Sequence, residues 1–192
     1  MKFLFSLILG FFYLSNLTAQ DIKTELKDGI IDKDYKAFSI LNTDQKFEPE
    51  SQEALILSSD YMTSIITFTD PDYPSPTLKD EVENALRHEL ISQGYAHKKS
   101  GAKMLVAYSI YNRDGIIKGD FTENDRNEVM ANEEYKVKKG TLLISIIDKE
   151  SGQTIWSGFN DGALANVTSS DENKIVKSVS GIMNQLRLER SY

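Results

Sequence analysis

Two histidines, His88 and His97, are the only imidazoles in this chain that could bind a metal ion or act as a general base. Zinc-binding histidines on one helix usually stand four residues apart, whereas nine residues and Gly94 separate this pair. We therefore expect His88 to lie on a helix surface and His97 to titrate in solvent. We predict no metal site and no cofactor.

The segment Ser100–Lys103 matches the Ser-x-x-Lys pattern of serine acyl transferases, in which the lysine activates the hydroxyl group. That chemistry requires the motif to begin a helix, but here it begins a strand-like run. The companion Lys-Thr-Gly motif is also missing, because Lys139, Gly140 and Thr141 follow another order. The pattern therefore predicts no catalytic residue.

Acidic side chains suggest two further chemistries. Four acids in a charged segment could bind calcium, although no glycine stands at the sixth position of a calcium loop: Asp120, Glu123, Asp125 and Glu128. A solvated loop is the favoured interpretation, and calcium binding stays open. Asp70 and Asp72 could form an acid–base pair, but they stand among prolines, where aspartate usually initiates turns.

Aromatic residues in the predicted strands could stack on sugar rings or on a partner. Tyr108 and Tyr111 stand in one strand-like run and Trp156 in another. At strand positions such side chains more often belong to the core, which is the interpretation we favour.

The composition excludes several functions. The chain has no cysteine, which removes disulfides, thiolate catalysis and the lipid-bearing cysteine of a lipoprotein. Its formal charge is −7, so it should repel nucleic acid and anionic lipid unless a local basic patch exists. The only short basic cluster is Lys136–Lys139, which we interpret as solvated.

Residues 1–20 have the features of a signal peptide. Lys2 precedes an apolar run from Phe3 to Leu14, and small residues precede the bonds after Ala19 and Gln20. This run is shorter than the roughly 20 residues that span a bilayer. We expect the leader to be cleaved, and an uncleaved anchor is the alternative. The mature protein should be soluble and periplasmic or secreted, without a transmembrane segment.

Two amphipathic helices are predicted. The first has Ser75 as its cap and Pro76 in its first turn, and Gly94 ends it. Its apolar face is Leu78, Val82, Ala85, Leu86 and Leu90. The second runs from about Asp171 to Leu188, with Ser169 and Glu172 at the spacing of a capping box. Its apolar stripe is Ile175, Val176, Val179, Ile182, Met183 and Leu186.

Strand-like runs rich in β-branched and aromatic residues lie before and between the helices. They are Tyr61–Phe68, Lys103–Tyr111, Thr141–Asp148 and Gln153–Phe159. A short turn containing Gly152 joins the last two, so they should form an antiparallel hairpin. Both faces of Thr141–Asp148 carry apolar residues, which predicts that both faces are at least partly covered.

Two segments are less regular. Residues 21–60 could contain a strand at Ala54–Leu57, and Tyr35–Leu41 could be a strand or part of a helix. The segment Asn112–Lys139 is polar and charged, so we predict a mobile loop there.

The predicted hairpin resembles the signature of a known family. Gly140–Asp148, then Ile155–Gly158 and Gly162–Ala163, are similar to domain of unknown function 4136, a family of bacterial envelope proteins that includes many lipoproteins. The resemblance covers about residues 60–188 and implies a fold and a compartment. It implies no site residues, because the family has no established catalytic ones.

The predicted fold class is α+β, a two-layer sandwich with the core order strand-helix-strand-strand-strand-helix and a mainly antiparallel sheet. We expect a signal peptide at 1–20, an N-terminal extension packed on the domain at 21–60, and a single domain at 61–192. The extension, or else a second subunit or partner, should cover the hairpin face that the helices leave open.

The leading functional hypothesis is a non-enzymatic, exported envelope protein that binds an envelope protein or envelope component through its sheet. A hydrolase acting on an envelope polymer and a small-ligand carrier are the alternatives. The sequence does not identify the partner, the biological process or the oligomeric state.

Overall fold

The fold is known from a computed structural model. It describes residues 22–26, 35–41, 54–59, 62–67, 75–119, 122–123, 133–167 and 171–186.

The described residues form eleven strands and two helices. In chain order these are β1 (Ile22–Leu26), β2 (Ala37–Ile40), β3 (Ala54–Ser59), β4 (Met62–Thr67), α1 (Pro76–Ser92), β5 (Ala96–His97), β6 (Met104–Ile110), β7 (Gly115–Gly119), β8 (Thr122–Glu123), β9 (Glu133–Val137), β10 (Leu142–Asp148), β11 (Thr154–Asn160) and α2 (Glu172–Met183). No helix within these residues is both long and apolar enough to cross a bilayer.

Seven strands form a central sheet in the order β5-β2-β6-β10-β11-β1-β8. All neighbours are antiparallel except β2, which runs parallel to both β5 and β6. The predicted hairpin is confirmed as β10–β11, where Leu143 lies opposite Phe159. The α+β class and the mainly antiparallel sheet are therefore confirmed.

The first strand of the predicted core order has a different place. The run at 61–68 forms β4, which pairs with β3 in a separate hairpin and not with the central sheet. Pairing with the strand nearest in the chain needs only a short turn, so β4 takes β3 as its partner.

The segment 21–60 contributes directly to the central sheet. Its strands β1 and β2 lie within that sheet, and the ambiguous segment Tyr35–Leu41 contains the strand β2 and no helix. A four-residue segment is too short to show periodicity. The parallel pairing of β2 with β6 therefore determines its conformation.

The two helices cover one face of the sheet. Their apolar faces pack against Met104, Val106 and Ile110 of β6 and against Leu142, Ile144 and Ile146 of β10, all of which are buried. At Gly158 an added Cβ atom would stand 2.8 Å from the Cγ2 atom of Ile182. The absence of a side chain at Gly158 thus lets α2 approach the sheet closely.

Helix α1 agrees with the prediction at both ends. The Leu78 amide donates to the Ser75 hydroxyl oxygen at 3.3 Å, and the helix ends just before Gly94. All five predicted apolar positions of α1 are buried.

Helix α2 differs from the prediction in three respects. Its cap position is Asp171, so the predicted capping box of Ser169 and Glu172 does not begin the helix, and Ser169 lies outside the described residues. The helix ends at Met183, because the amides of Gln185 and Leu186 donate to carbonyl groups three residues earlier and so tighten the final turn. Val176 lies one residue off the apolar stripe and is 42% exposed.

A second hairpin, β7–β9, covers part of the other face of the sheet. Ile117 and Val137 of this hairpin form a buried cluster with Leu143 and Phe159. The Tyr135 ring adds an edge contact to the ring of Phe159, with 5.9 Å between the centroids. Every residue of β10 and β11 is buried, so the predicted two-sided cover is confirmed.

The source of that cover was not predicted. We expected the extension 21–60 or a second subunit, but Ile117 and Val137 belong to the segment 112–139 that we interpreted as a mobile loop. In β7 and β9 only every second side chain faces the core. The many charged residues of the segment make this alternation of apolar and polar side chains hard to recognise in the sequence.

Candidate binding surface

The signature residues of the hairpin stabilise a junction of turns. One carboxylate oxygen of Asp161 accepts from the Lys138 amide at 2.7 Å and from the Thr141 hydroxyl at 2.9 Å. The Gly162 amide donates to the Thr141 hydroxyl oxygen at 2.9 Å. These bonds join the connection before β10 to the turn after β11, so these residues have a structural role.

The aromatic residues that could have bound a ligand belong mainly to the core. Tyr108 and Trp156 are buried, and the Tyr108 hydroxyl donates to a carboxylate oxygen of Glu83 at 3.2 Å. Tyr111 packs against the β7–β9 cluster, and burial raises the pKa of its hydroxyl to about 12.

The two histidines, which are both described, are not brought into one site. His88 is exposed on α1, whereas His97 lies in β5, and Ser100 and Lys103 are exposed in a turn. Of the four possible calcium ligands only the backbone of Glu123 is described, and Asp70 and Asp72 lie outside the described residues. Among the residues that the structure describes, no three acids, histidines or cysteines form a group that could hold a metal ion.

One end of the sheet carries a concentration of positive charge. Lys103 precedes β6 and Lys149 follows β10, and the Lys149 amide donates to the Lys103 carbonyl at 2.8 Å. Lys98 follows β5 and its amide donates to the Phe38 carbonyl at 2.9 Å. Lys98, Lys99 and Lys103 belong to the single β5–β6 connection, and the bond between Lys149 and Lys103 brings the β10–β11 turn beside it.

We name this region the β5-edge surface. It comprises Arg87 and Ile91 of α1, His97 of β5, and the exposed lysines Lys98, Lys99, Lys103 and Lys149.

A turn carboxylate fixes the position of Lys149. Asp148 is buried, and its Oδ2 atom accepts from the Ser151 hydroxyl at 2.7 Å and from the Ser151 amide at 3.2 Å. The Gly152 amide closes the turn by donating to the Asp148 carbonyl at 2.8 Å. Lys149 is therefore exposed on a defined turn.

His97 lies close to two of these cations. Burial lowers the pKa of His97, and the charges of Arg87 and Lys99 lower it further. The imidazole packs against the Phe38 ring at 5.2 Å between centroids, which orients it at the sheet edge. Arg87 and Lys99 therefore lie near enough to His97 for their positive charges to act on it.

The cluster that the sequence singled out, Lys136–Lys139, is in a different environment. Its backbone amides at Lys138 and Lys139 donate to the carboxylates of Asp161 and Asp114 at 2.7 and 2.8 Å. These acids offset the neighbouring lysines, so a run of lysines in the sequence does not produce a basic surface here.

Sequence analysis did not find the β5-edge surface because only the fold brings Arg87 of α1 and Lys149 of the β10–β11 turn beside the lysines of the β5–β6 connection. The available signal was that Lys103 begins one predicted strand and Lys149 follows another, because antiparallel pairing of those two strands would place both lysines at one end of the sheet.

Comparison with known families gives one match. The sequence model of DUF4136, a domain of unknown function, matches residues 22–186. The match confirms the resemblance found from the sequence and extends it to the segment that contains β1 and β2. No curated protein matches the chain.

Solved structures give weaker likenesses. A PDZ domain protein from Parabacteroides distasonis ATCC 8503 gives a TM-score of 0.45 at 14% identity, and the match covers 86% of this chain and 35% of that protein. The present chain thus spans about a third of that protein's length. Two crystal forms of a PelC dodecamer from Paraburkholderia phytofirmans give TM-scores of 0.39 and 0.40 at 9% and 10% identity, and these matches cover 84% and 88% of this chain and 94% and 99% of PelC.

Proposed function

The chain belongs to the DUF4136 family, and we propose that it is an exported, non-enzymatic envelope protein that binds an envelope component through the β5-edge surface. The observation that carries this proposal is the concentration of Arg87 and four exposed lysines along the β5 edge and at the adjacent end of β6 and β10. The whole chain carries a formal charge of −7, so this concentration of cations departs from its average character.

The surface replaces the sheet face as the proposed binding region. We hypothesised from the sequence that an open sheet face binds the partner, but both faces of the central hairpin are buried within the chain. Lys98, Lys99, Lys103 and Lys149 are exposed and lie on turns, where a partner can reach them without opening the core.

Export is supported by the sequence of residues 1–20, which lie outside the described residues. The basic residue, the apolar run and the small residues before the cleavage position are the features that the export machinery recognises. Export would place the β5-edge surface among the anionic polymers and lipids of the envelope.

Retention on a washed envelope fraction from the native host tests the proposal. We expect the protein to sediment with this fraction at low salt and to be released as ionic strength rises, because exposed charges are screened. The double variant K98E/K99E should be retained poorly. The matched control K174E/K177E changes two exposed lysines of α2 and alters the net charge equally, so it should be retained almost normally. Equal retention of all three proteins, or of none, contradicts the proposal.

A further inference from the structure

From the distribution of charge at this end of the sheet, we propose that the β5-edge surface docks the protein on an anionic phospholipid membrane. This inference rests on the proposed function, because it identifies the envelope component that the same surface binds.

The spread of the lysines fits an array of anions better than a single anion. Lys98 and Lys99 follow β5, whereas Lys149 follows β10, and β2 and β6 lie between these strands. Three strand spacings separate β5 from β10 by roughly 14 Å. One phosphate or carboxylate group cannot contact both ends of such a row. A membrane surface presents many phosphate groups in one plane, so it can contact all of them.

An exposed apolar side chain accompanies the cations. Ile91 is 50% exposed and lies one helical turn after Arg87, so the two share a face of α1. The Gly94 amide donates to the Ile91 carbonyl at 2.8 Å, which joins this end of α1 to the turn that leads into β5. Basic residues beside an exposed apolar side chain are typical of surfaces that lie at a membrane interface.

The charge of the rest of the molecule favours one orientation. Arg87 and Lys99 create a positive field at His97, whereas the chain as a whole is negative. An anionic bilayer therefore attracts the β5 edge and repels the remainder. Docking through this surface would hold the protein with one end of its sheet toward the membrane.

Sedimentation with lipid vesicles tests the inference on protein that begins at residue 21. All described elements lie within 22–186, and the apolar leader would by itself bind a bilayer. Vesicles with about 30 mol % anionic phospholipid should bind the protein, and K98E/K99E should bind at least about tenfold more weakly. K174E/K177E should stay within about twofold of the unchanged protein, because it alters the charge equally at another site.

A second variant helps to distinguish a loss of membrane binding from misfolding of K98E/K99E. K103E/K149E removes the other two lysines of the surface and should weaken vesicle binding to a similar extent. Thermal unfolding of each variant shows that it is folded. Equal vesicle binding by all these proteins, or binding as strong to purely zwitterionic vesicles, overturns the inference.

Two further probes separate this inference from the proposed function. If polyglutamate binds through Lys98 and Lys99 but vesicles do not, the partner is an acidic polypeptide and the membrane inference is wrong while surface binding stands. If the protein does not bind vesicles but associates with itself, and K98E/K99E abolishes this self-association, the partner is a second copy of the chain. This result also overturns the membrane inference. Failure to bind the envelope fraction and every anionic probe overturns both proposals.

Discussion

Gly140 lies so close to Ala165 that a Cβ atom added to Gly140 would stand 2.0 Å from the Ala165 backbone nitrogen. Gly140 also has a φ of +82°, a conformation that other residues adopt at a cost. The Gly140 carbonyl accepts the Leu164 amide at 2.8 Å, so the two turns are bonded where they touch. This contact holds together the junction formed by the hairpin signature.

Gly140→Ala should therefore destabilise the protein by about 3 kcal/mol or more, because backbone cannot move aside as a side chain can. Gly152→Ala is the matched control, since Gly152 has a φ of +70° and nothing within 4 Å of an added Cβ atom. It should cost only about 1 kcal/mol. Urea unfolding of both variants measures the difference, and equal losses would show that the contact with Ala165 is unimportant.

Because the β7–β9 hairpin covers the second sheet face, substitutions of Ile117 and Leu143 should have coupled effects on the free energy of unfolding. Both are buried in one cluster, so each substitution to alanine should cost about 2–4 kcal/mol. The double variant should lose less than the sum of the single losses, because the two side chains pack in the same space. Ile116→Ala is the control, since Ile116 is 47% exposed on the opposite side of β7. Strict additivity would mean that the β7–β9 hairpin does not cover Leu143.

The buried hydroxyl of Tyr111 should make the protein less stable at alkaline pH. Burial raises its pKa from 10.0 to about 12, so between these values the unfolded chain ionises while the folded chain stays neutral. The free energy of unfolding should fall by about 2 kcal/mol across this interval because of Tyr111.

The variant Tyr111→Phe isolates this effect. The phenolic oxygen of Tyr111 is buried without a hydrogen-bond partner. The phenylalanine variant should therefore be as stable as the unchanged protein near neutral pH, and relatively more stable above pH 10. Denaturant unfolding over the alkaline range checks this, and parallel pH profiles for the two proteins would show that the tyrosine is not protected by burial.

The pKa of His97 should respond to substitutions on the β5-edge surface. The charge of Lys99 lowers this pKa, so Lys99→Glu should raise it. Lys174→Glu makes the same change of charge on α2 and should have much less effect, because screening weakens charge effects over distance. Titration of the imidazole resonances by NMR measures both shifts. An unchanged His97 pKa in Lys99→Glu would be the contrary result.

The leader predicts a defined mature N terminus. Protein isolated from the native host should begin at Gln20 or Asp21 and remain soluble without detergent, because the run Phe3–Leu14 is apolar enough to serve as a signal peptide. N-terminal sequencing and cell fractionation provide the test. Recovery of Met1 in a membrane fraction would instead indicate an uncleaved anchor.

Elements with local signals could be predicted from the amino-acid sequence alone. The apolar spacing from Leu78 to Leu90, with Ser75 as a cap, predicted α1 and its buried face. The two β-rich runs around Gly152 predicted the β10–β11 hairpin, and the same residues carried the family resemblance. Side-chain periodicity and turn chemistry act over a few residues, so they can be recognised without knowledge of distant contacts.

Which segments meet depends on contacts between residues that are far apart in the chain. The short strand β2 depends on parallel pairing with β6, and the cover of Leu143 comes from a hairpin hidden in a charged segment. In the β5-edge surface, Lys149 becomes a neighbour of Lys103 only because β6 and β10 pair in one sheet. Electrostatic fields depend on distance in space, so the run Lys136–Lys139 is offset by Asp161 and Asp114, whereas dispersed lysines form the basic surface.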